Sequence, residues 1–445
     1  MRSSQCRHRQ WKVTFMHRRN FLRSTAAAGL GSIVGKGTPF HAEGTPSAAS
    51  QEGTPEAKQS PMTFTADFEG GSLGKVVKVT DTSMRCILLG EVDQFGRNRQ
   101  VSWFYFRIDS APDSELTLEF TDLAGEYNFH PGTYSITPDT PPVYSYDGLD
   151  WTHVAKKDWT AVANSMRLRI RPSQSRLWIA HVAPYTTRHL ARLLEEIRGA
   201  PALESQVIGK SVQGRDIPML TITDPGPRQD QKKVVWLMFR QHSWEAGSSW
   251  VGEGAIRFLV SSDPVAERIR KETIFKIFPV QDPDGVFRGG VRFNAYGYDL
   301  NRNWDTEDPV RMPEITAARN AILNWADRGG RVDFFLTLHN DETNEYLIGP
   351  PSPKFRPLAQ RVFDDLARTT KFDPTHGYEE DPGNVTPIEP GRMDVAEGLY
   401  FKHSIPAFLM EQRIAYVGKL GRWPMVKDRL EFGQGLVKAI CAALT

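Results

Sequence analysis

The sequence predicts two domains in series, an all-β antiparallel sandwich followed by an α/β layer fold, and three observations carry that prediction. Over 61–183, short alternating or aromatic-rich runs are separated by turn residues. Over 184–445, apolar runs alternate with amphipathic stretches, and four of those runs each end in a cluster of polar residues. A chain of 445 residues also exceeds what one core usually fills.

Residues 1–60 are expected to lie outside both cores, as a signal peptide and a disordered tether. Arg18-Arg19-Asn20-Phe21-Leu22-Arg23, followed by the small, weakly apolar run 24–34, resembles a twin-arginine export signal. It departs from the usual pattern at His17, where serine or threonine is common, and at Arg23, where lysine is common. The alternative is a disordered basic tail. The resemblance implies the bacterial twin-arginine export machinery as a partner and a periplasmic or otherwise extracytoplasmic location. From Thr38 to Pro61 the composition turns to Gly, Ser, Thr, Pro, Ala and Gln, which offers little apolar surface to offset the entropy of ordering.

The sandwich is read from the runs 101–108, 116–120, 166–170 and 177–182, punctuated by Pro131-Gly132, Pro141-Pro142 and Asp147-Gly148. Their alternation leaves one face for a core and one for water. No chemistry-bearing cluster falls within them. At Pro184 the period changes. Thr187 is placed to cap a helix that carries Leu190, Leu193, Leu194 and Ile197 on one face. Strand and helix patterns then alternate to the C-terminus, as in α/β layer folds.

The four apolar runs give the site. Run 234–239 leads to His242 and Glu245, run 274–280 to Asp282-Pro283-Asp284-Gly285, run 334–338 to His339, and run 406–410 to Glu411. In open α/β sheets the ligand crevice lies beyond the carboxyl ends of the strands, so these heads are expected to converge.

Composition narrows the chemistry. Lysine and arginine total 55 against 53 aspartate and glutamate, a formal charge of +2, so no nucleic-acid partner is expected. No apolar run approaches the roughly 20 residues that span a bilayer, so no stable membrane insertion is expected either. The 3 cysteines lack metal-site spacing, which leaves histidine and carboxylate as ligands. Hydrolytic zinc prefers three such ligands, two from one segment and one from afar. His242, Glu245 and His339 fit one Zn2+ per chain, although an HxxE spacing is weak by itself. In YGYDLNRNW (296–304), Asn301 and Arg302 suit the anchoring of a free C-terminal carboxylate, because guanidinium and carboxylate match bidentately. Asp299 is suited to accept the outer ring N–H of His242 and so fix its tautomer. A capped turn with solvated charges is the bland alternative for this loop.

In these residues the chain resembles the M14 zinc carboxypeptidases from about Thr63 to its end, and more narrowly their cytosolic carboxypeptidase-like branch. The family's HxxE motif resembles His242 and Glu245, its asparagine-arginine clamp Asn301 and Arg302, its second zinc histidine His339, and its catalytic glutamate Glu411. The branch-level likeness rests on DPDGV (282–286), on Arg292 ten residues before Arg302, on SWFYFRI (102–108) and on SVQGRDI (211–217). Asp282 departs from the family, which usually has asparagine there.

The resemblance implies a mixed-sheet α/β/α zinc carboxypeptidase domain directly behind a β-sandwich. It implies Glu411 as general base on a zinc-activated water. Arg292 would polarise the scissile carbonyl, with Arg288 as the second candidate. Asn301 and Arg302 would grip the substrate carboxylate, and Tyr400 would be the mobile substrate-binding tyrosine. Substrates would be peptide or protein C-termini, losing terminal or side-chain-linked amino acids. Arg392, Lys402 and Arg413 make an acidic side-chain preference conceivable. Two other readings are a zinc amidase acting on cell-wall peptides or N-acyl amino acids, and a zinc-free binding scaffold.

Overall fold

A computed structural model of the chain describes residues 61–445 apart from 97, 128–129, 227–228 and 381–389. The arginine-pair segment and nearly all of the tether lie outside the described residues. Among the described residues, no helix is long and apolar enough to cross a membrane.

Two five-stranded sheets stack face to face at the front of the described chain. The first orders Thr63–Thr65, Tyr105–Asp109, Arg176–Ala180, Val143–Ser145 and Thr152–His153, and the second Trp159–Val162, Ser165–Ile170, Leu116–Thr121, Ser83–Ile87 and Val76–Thr80. The alternating residues Phe104, Phe106, Ile108, Leu116, Leu118, Phe120, Leu168, Leu177 and Ile179 form the core between them. Phe104 and Phe120 stack there with centroids 4.8 Å apart. The pairs are antiparallel as expected, except that Ser83–Ile87 runs parallel to Leu116–Thr121. A parallel pair needs a long crossover. The chain between these strands supplies it by crossing to the other sheet as Tyr105–Asp109. A four-stranded patch of Glu91–Val92, Arg99–Gln100, Gly125–Tyr127 and His130–Thr133 is additional to the sequence expectation. Its strands are too short for periodicity to register.

Behind them is one mixed sheet of eight strands, ordered Leu203–Lys210, Asp216–Ile222, Thr273–Phe278, Lys233–Phe239, Phe334–Asp341, Ala407–Arg413, Tyr346–Gly349 and Glu379–Glu380. The third to sixth are mutually parallel and adjacent. They are the four runs singled out above. Strands covered on both faces read as unbroken apolar runs. Val235, Leu237 and Phe239 pack toward the helices Ala246–Val260, Arg356–Thr369 and Val426–Leu444. The alternate residues Val234, Trp236 and Met238 pack toward Pro313–Asp327 and Val395–His403.

The first helix of this part, Thr187–Ile197, buries Leu190, Leu193 and Ile197 as expected, but its N-cap is Thr186 rather than Thr187. Glu69 explains the shift. Its Oε1 accepts from the Thr187 amide and hydroxyl, both at 2.5 Å, and from the Arg188 amide at 3.3 Å. A carboxylate 118 positions away thus shares the capping with a local box in which His189 Nδ1 accepts from the Thr186 amide at 3.1 Å, and local pattern does not reveal the distant part.

Candidate active site

The strand Lys233–Phe239 ends in a tight reversal. Arg240 there takes φ of +60°, a conformation L-residues visit rarely and only when their surroundings fix it. Its buried guanidinium supplies that fixation, donating to the Ser243 carbonyl from Nε (3.0 Å) and Nη2 (2.6 Å) and to Ser249 Oγ (3.1 Å). The reversal sets His242 beside Glu245, the N-cap residue of Ala246–Val260. On the next two strands of the sheet, which are parallel neighbours, His339 and Glu411 stand in register.

These elements bring His242, Glu245 and His339 together, fully buried, with one ligand atom of each within 4.8 Å of the others. Glu245 Oε1 lies 2.6 Å from His242 Nδ1, and Oε2 lies 2.9 Å from His339 Nδ1. The outer ring nitrogens already have acceptors. His242 Nε2 faces Asp299 Oδ1 at 3.0 Å, and His339 Nε2 faces Gln241 Oε1 at 3.1 Å. Those outer bonds favour tautomers whose Nδ1 lone pairs point inward. Two such lone pairs facing a carboxylate are mutually repulsive unless a cation stands among them, so the donor set fits a divalent ion.

Burial draws His339 below the ordinary imidazole range against the pull of Glu245, and so favours the neutral ring that a ligand must present. For His242, burial and Arg292 oppose the charged form, but Glu245 and Asp299 outweigh them and raise it. Burial likewise works against the Asp299 carboxylate, yet Arg292 and His242 hold it far below its usual range.

Asp299 is the hub of the predicted loop. Its Oδ2 accepts from Arg292 Nε at 2.7 Å, and its Oδ1 also accepts from the Asn301 amide at 2.9 Å. Arg292 is therefore drawn toward the metal residues. Arg288, the second candidate, turns instead to Glu91 and to the Phe293 carbonyl. Arg302 is braced by its Nη1 on the Asn301 carbonyl at 2.7 Å. Asn301 is buried, and its Oδ1 accepts from the Val395 amide at 3.1 Å, so what it can offer a carboxylate is its amide NH2.

Tyr400 is not brought into this group. It lies in the second half of Val395–His403, and its ring packs edge-on to Phe355 and Phe401. The helix presents the amide of its first residue, Val395, to Asn301. Among the basic residues considered for substrate preference, Arg413 is tied to Asp373 Oδ2 at 2.7 Å, and Lys402 is exposed near the end of the helix.

Asp282 accepts from the Gly285 amide at 2.8 Å, and burial pushes its pKa up to about 8. A neutral aspartic acid is a fair substitute for the amide usual in the family.

Sequence reasoning missed Gln241 and Thr337. Thr337 Oγ1 donates to Gln241 Oε1 at 2.5 Å, and Gln241 Nε2 donates to the Leu300 carbonyl at 2.8 Å, which orients the partner of His339. Strand alternation could have found Thr337, two residues before His339 and on the same face.

Residues 191–369 match the family described as zinc carboxypeptidase, and residues 64–182 match the cytosolic carboxypeptidase N-terminal domain. The chain is 30% identical to cytosolic carboxypeptidase 6 of Caenorhabditis elegans over 65% of its own length, and spans 65% of that protein, just under two thirds. It is 29% identical to an uncharacterised protein of Zymomonas mobilis, over 75% of this chain and 82% of that one. A metallo-carboxypeptidase from Pseudomonas aeruginosa, solved in complex with (2-guanidinoethylmercapto)succinic acid, superposes with a TM-score of 0.72 at 25% identity, covering 86% of this chain and 100% of that one. The chain is a metallocarboxypeptidase: its α/β domain carries the match to the zinc carboxypeptidase family and follows a match to the cytosolic carboxypeptidase N-terminal domain.

Proposed function

We propose that the enzyme removes amino acids from the C-termini of peptides or proteins, with Glu411 as general base and with Asn301 and Arg302 gripping the terminal carboxylate. The observation that carries this reading is the convergence of His242, Glu245 and His339, with His339 in register with Glu411 on the neighbouring parallel strand. Zinc held by those three residues supplies Lewis acidity to water and to a carbonyl. Glu411 is suited to take up a proton, since burial and then the charges of Glu245, Asp341 and Glu342 raise its pKa well above the ordinary range. Its Oε2 is buried with no protein partner among the described residues, and so is available to hold that proton. Arg292, steered by Asp299, provides a positive group toward the oxyanion that develops at the scissile carbonyl. Arg302 offers a planar fork to a carboxylate, and an internal peptide bond has none to present. The Pseudomonas aeruginosa enzyme binds a succinic acid derivative, a ligand whose carboxylates such a clamp would accept.

Export is part of the same proposal, supported by Arg18-Arg19 and the weakly apolar run behind them. A processed N-terminus in an extracytoplasmic fraction would bear it out, and an intact one in the cytoplasm would end it.

The test of activity compares one peptide as free acid and as C-terminal amide, with zinc-loaded protein. Cleavage of the acid alone is expected. Equal cleavage of both would favour the amidase reading, and zinc binding without cleavage of either would favour the scaffold.

A further inference from the structure

We propose that Glu91, in the front domain, is a positioning residue for Arg292. This rests on the reading of Arg292 as the group facing the scissile carbonyl. Glu91 opens the short strand Glu91–Val92 and is mostly buried, with 15% of its side chain exposed. Its Oε2 accepts from three successive backbone amides, Val291 at 3.0 Å, Arg292 at 2.6 Å and Phe293 at 2.9 Å. Its Oε1 accepts from Arg288 Nη1.

Three consecutive N–H groups can converge on one oxygen only if the backbone carrying them is concave, and a carboxylate in that concavity holds it against relaxation. The backbone so held is the one from which the Arg292 side chain leaves. Arg292 then donates to Asp299 Oδ2 at 2.7 Å, and Asp299 Oδ1 faces His242 Nε2 at 3.0 Å. One line of contacts thus runs from the front domain through Glu91, residues 291–293, Arg292 and Asp299 to a metal residue. The neighbouring backbone hydrogen bond from the Gln94 amide to the Gly297 carbonyl, 3.1 Å, pins the same two segments again, so loss of the carboxylate need not separate the domains.

A domain that merely adheres to its neighbour could do so with any complementary patch. A buried carboxylate spent on the three amides around Arg292 sets the aim of a guanidinium. Without it, the loop retains its sequence and loses its curvature.

The experiment uses the full zinc-loaded chain and a free-acid peptide. Glu91→Ala is expected to lower kcat by about 10²-fold, the usual cost of a misplacement of roughly 1 Å. KM and zinc content should stay near wild type. Glu91→Gln, which keeps an acceptor oxygen and the side-chain volume, should recover part of the loss, and it carries the test if the alanine variant does not fold. In an Arg292→Ala background, Glu91→Ala should cost nothing further. Wild-type kcat in both Glu91 variants, or an undiminished Glu91→Ala loss in the Arg292→Ala background, would overturn the proposal. Wild-type kcat in Arg292→Ala alone would instead overturn the role of Arg292, and this inference with it.

Discussion

Glu245, buried, and Glu411, partly buried, are glutamates of one site, and they ionise in opposite senses. Burial pushes both upward. At Glu245 the two imidazoles, His242 and His339, overcome it and hold the carboxylate far below its ordinary range. At Glu411 the neighbours that matter are anions, Glu245 first and then Asp341 and Glu342, and they add to burial, with Arg292 opposing. Residue type is alike and desolvation pushes both the same way, so what separates a carboxylate suited to metal from one suited to protons is the sign of the charge beside it. Sequence position sets that sign. Glu245 is three residues from His242 on a turn that folds back on both rings, whereas Glu411 lies within Ala407–Arg413, beside a strand that ends at Asp341 and leads into Glu342.

The comparison is broken most severely at Glu411. Glu411→Gln removes the proton acceptor and keeps the shape, so kcat should fall by up to about 10⁴-fold while one zinc per chain is retained. Turnover at the wild-type rate would show that the base lies elsewhere. Glu245→Gln should also abolish turnover, but through loss of metal, because it discards the one negative ligand of the three. Zinc content by elemental analysis tells the two variants apart. If both keep zinc, the division of labour drawn here is wrong.

A smaller effect sharpens the metal half of the comparison. Asp299→Asn leaves every ligand in place and replaces the anionic acceptor of His242 Nε2. Zinc affinity, measured by competition with a chelator, should weaken about 10- to 100-fold, as when an outer partner of a ligating histidine is removed. Unchanged affinity would mean that the imidazole is oriented by its own packing.

How much of this was legible in the sequence follows from how local each signal is. The four central strands and their polar heads are written within short stretches, since a strand covered on both faces must be apolar throughout and the residue after it need not be. His242, Glu245, His339 and Glu411 are found that way. Glu91, Glu69 and Gln241 act across the fold, on amides or rings far away in the chain, and neither periodicity nor composition marks an acceptor whose donor is distant. Tyr400 shows the converse hazard. An aromatic residue in the helix before the last strand has the right type and neighbourhood for a substrate contact, yet its partners Phe355 and Phe401 are those of ordinary packing.

His181 shows what burial does with no charge to help or oppose it. It comes from the front domain, its ring lies 6.0 Å from that of Trp244 in the metal-carrying turn, and its Nδ1 faces the Ser102 carbonyl at 2.6 Å. Its Nε2 is buried with no partner among the described residues. Burial draws its pKa down from 6.5 to about 4, although the Ser102 carbonyl favours the protonated ring. A depressed folded-state pKa means that the unfolded chain takes up a proton near pH 6.5 which the folded chain refuses until about pH 4. The stabilisation is complete above pH 6.5 and drains away as the pH falls through that window, by about 3 kcal/mol in all at 1.36 kcal/mol per unit. Denaturant titrations of chelator-treated protein, which keep ligand protonation by zinc release out of the measurement, should show this loss in the wild type. They should show a shallower one in His181→Gln, whose side chain does not titrate. Equal slopes would mean that His181 reaches water before the fold opens, and that packing against Trp244 does not keep its imidazole dry.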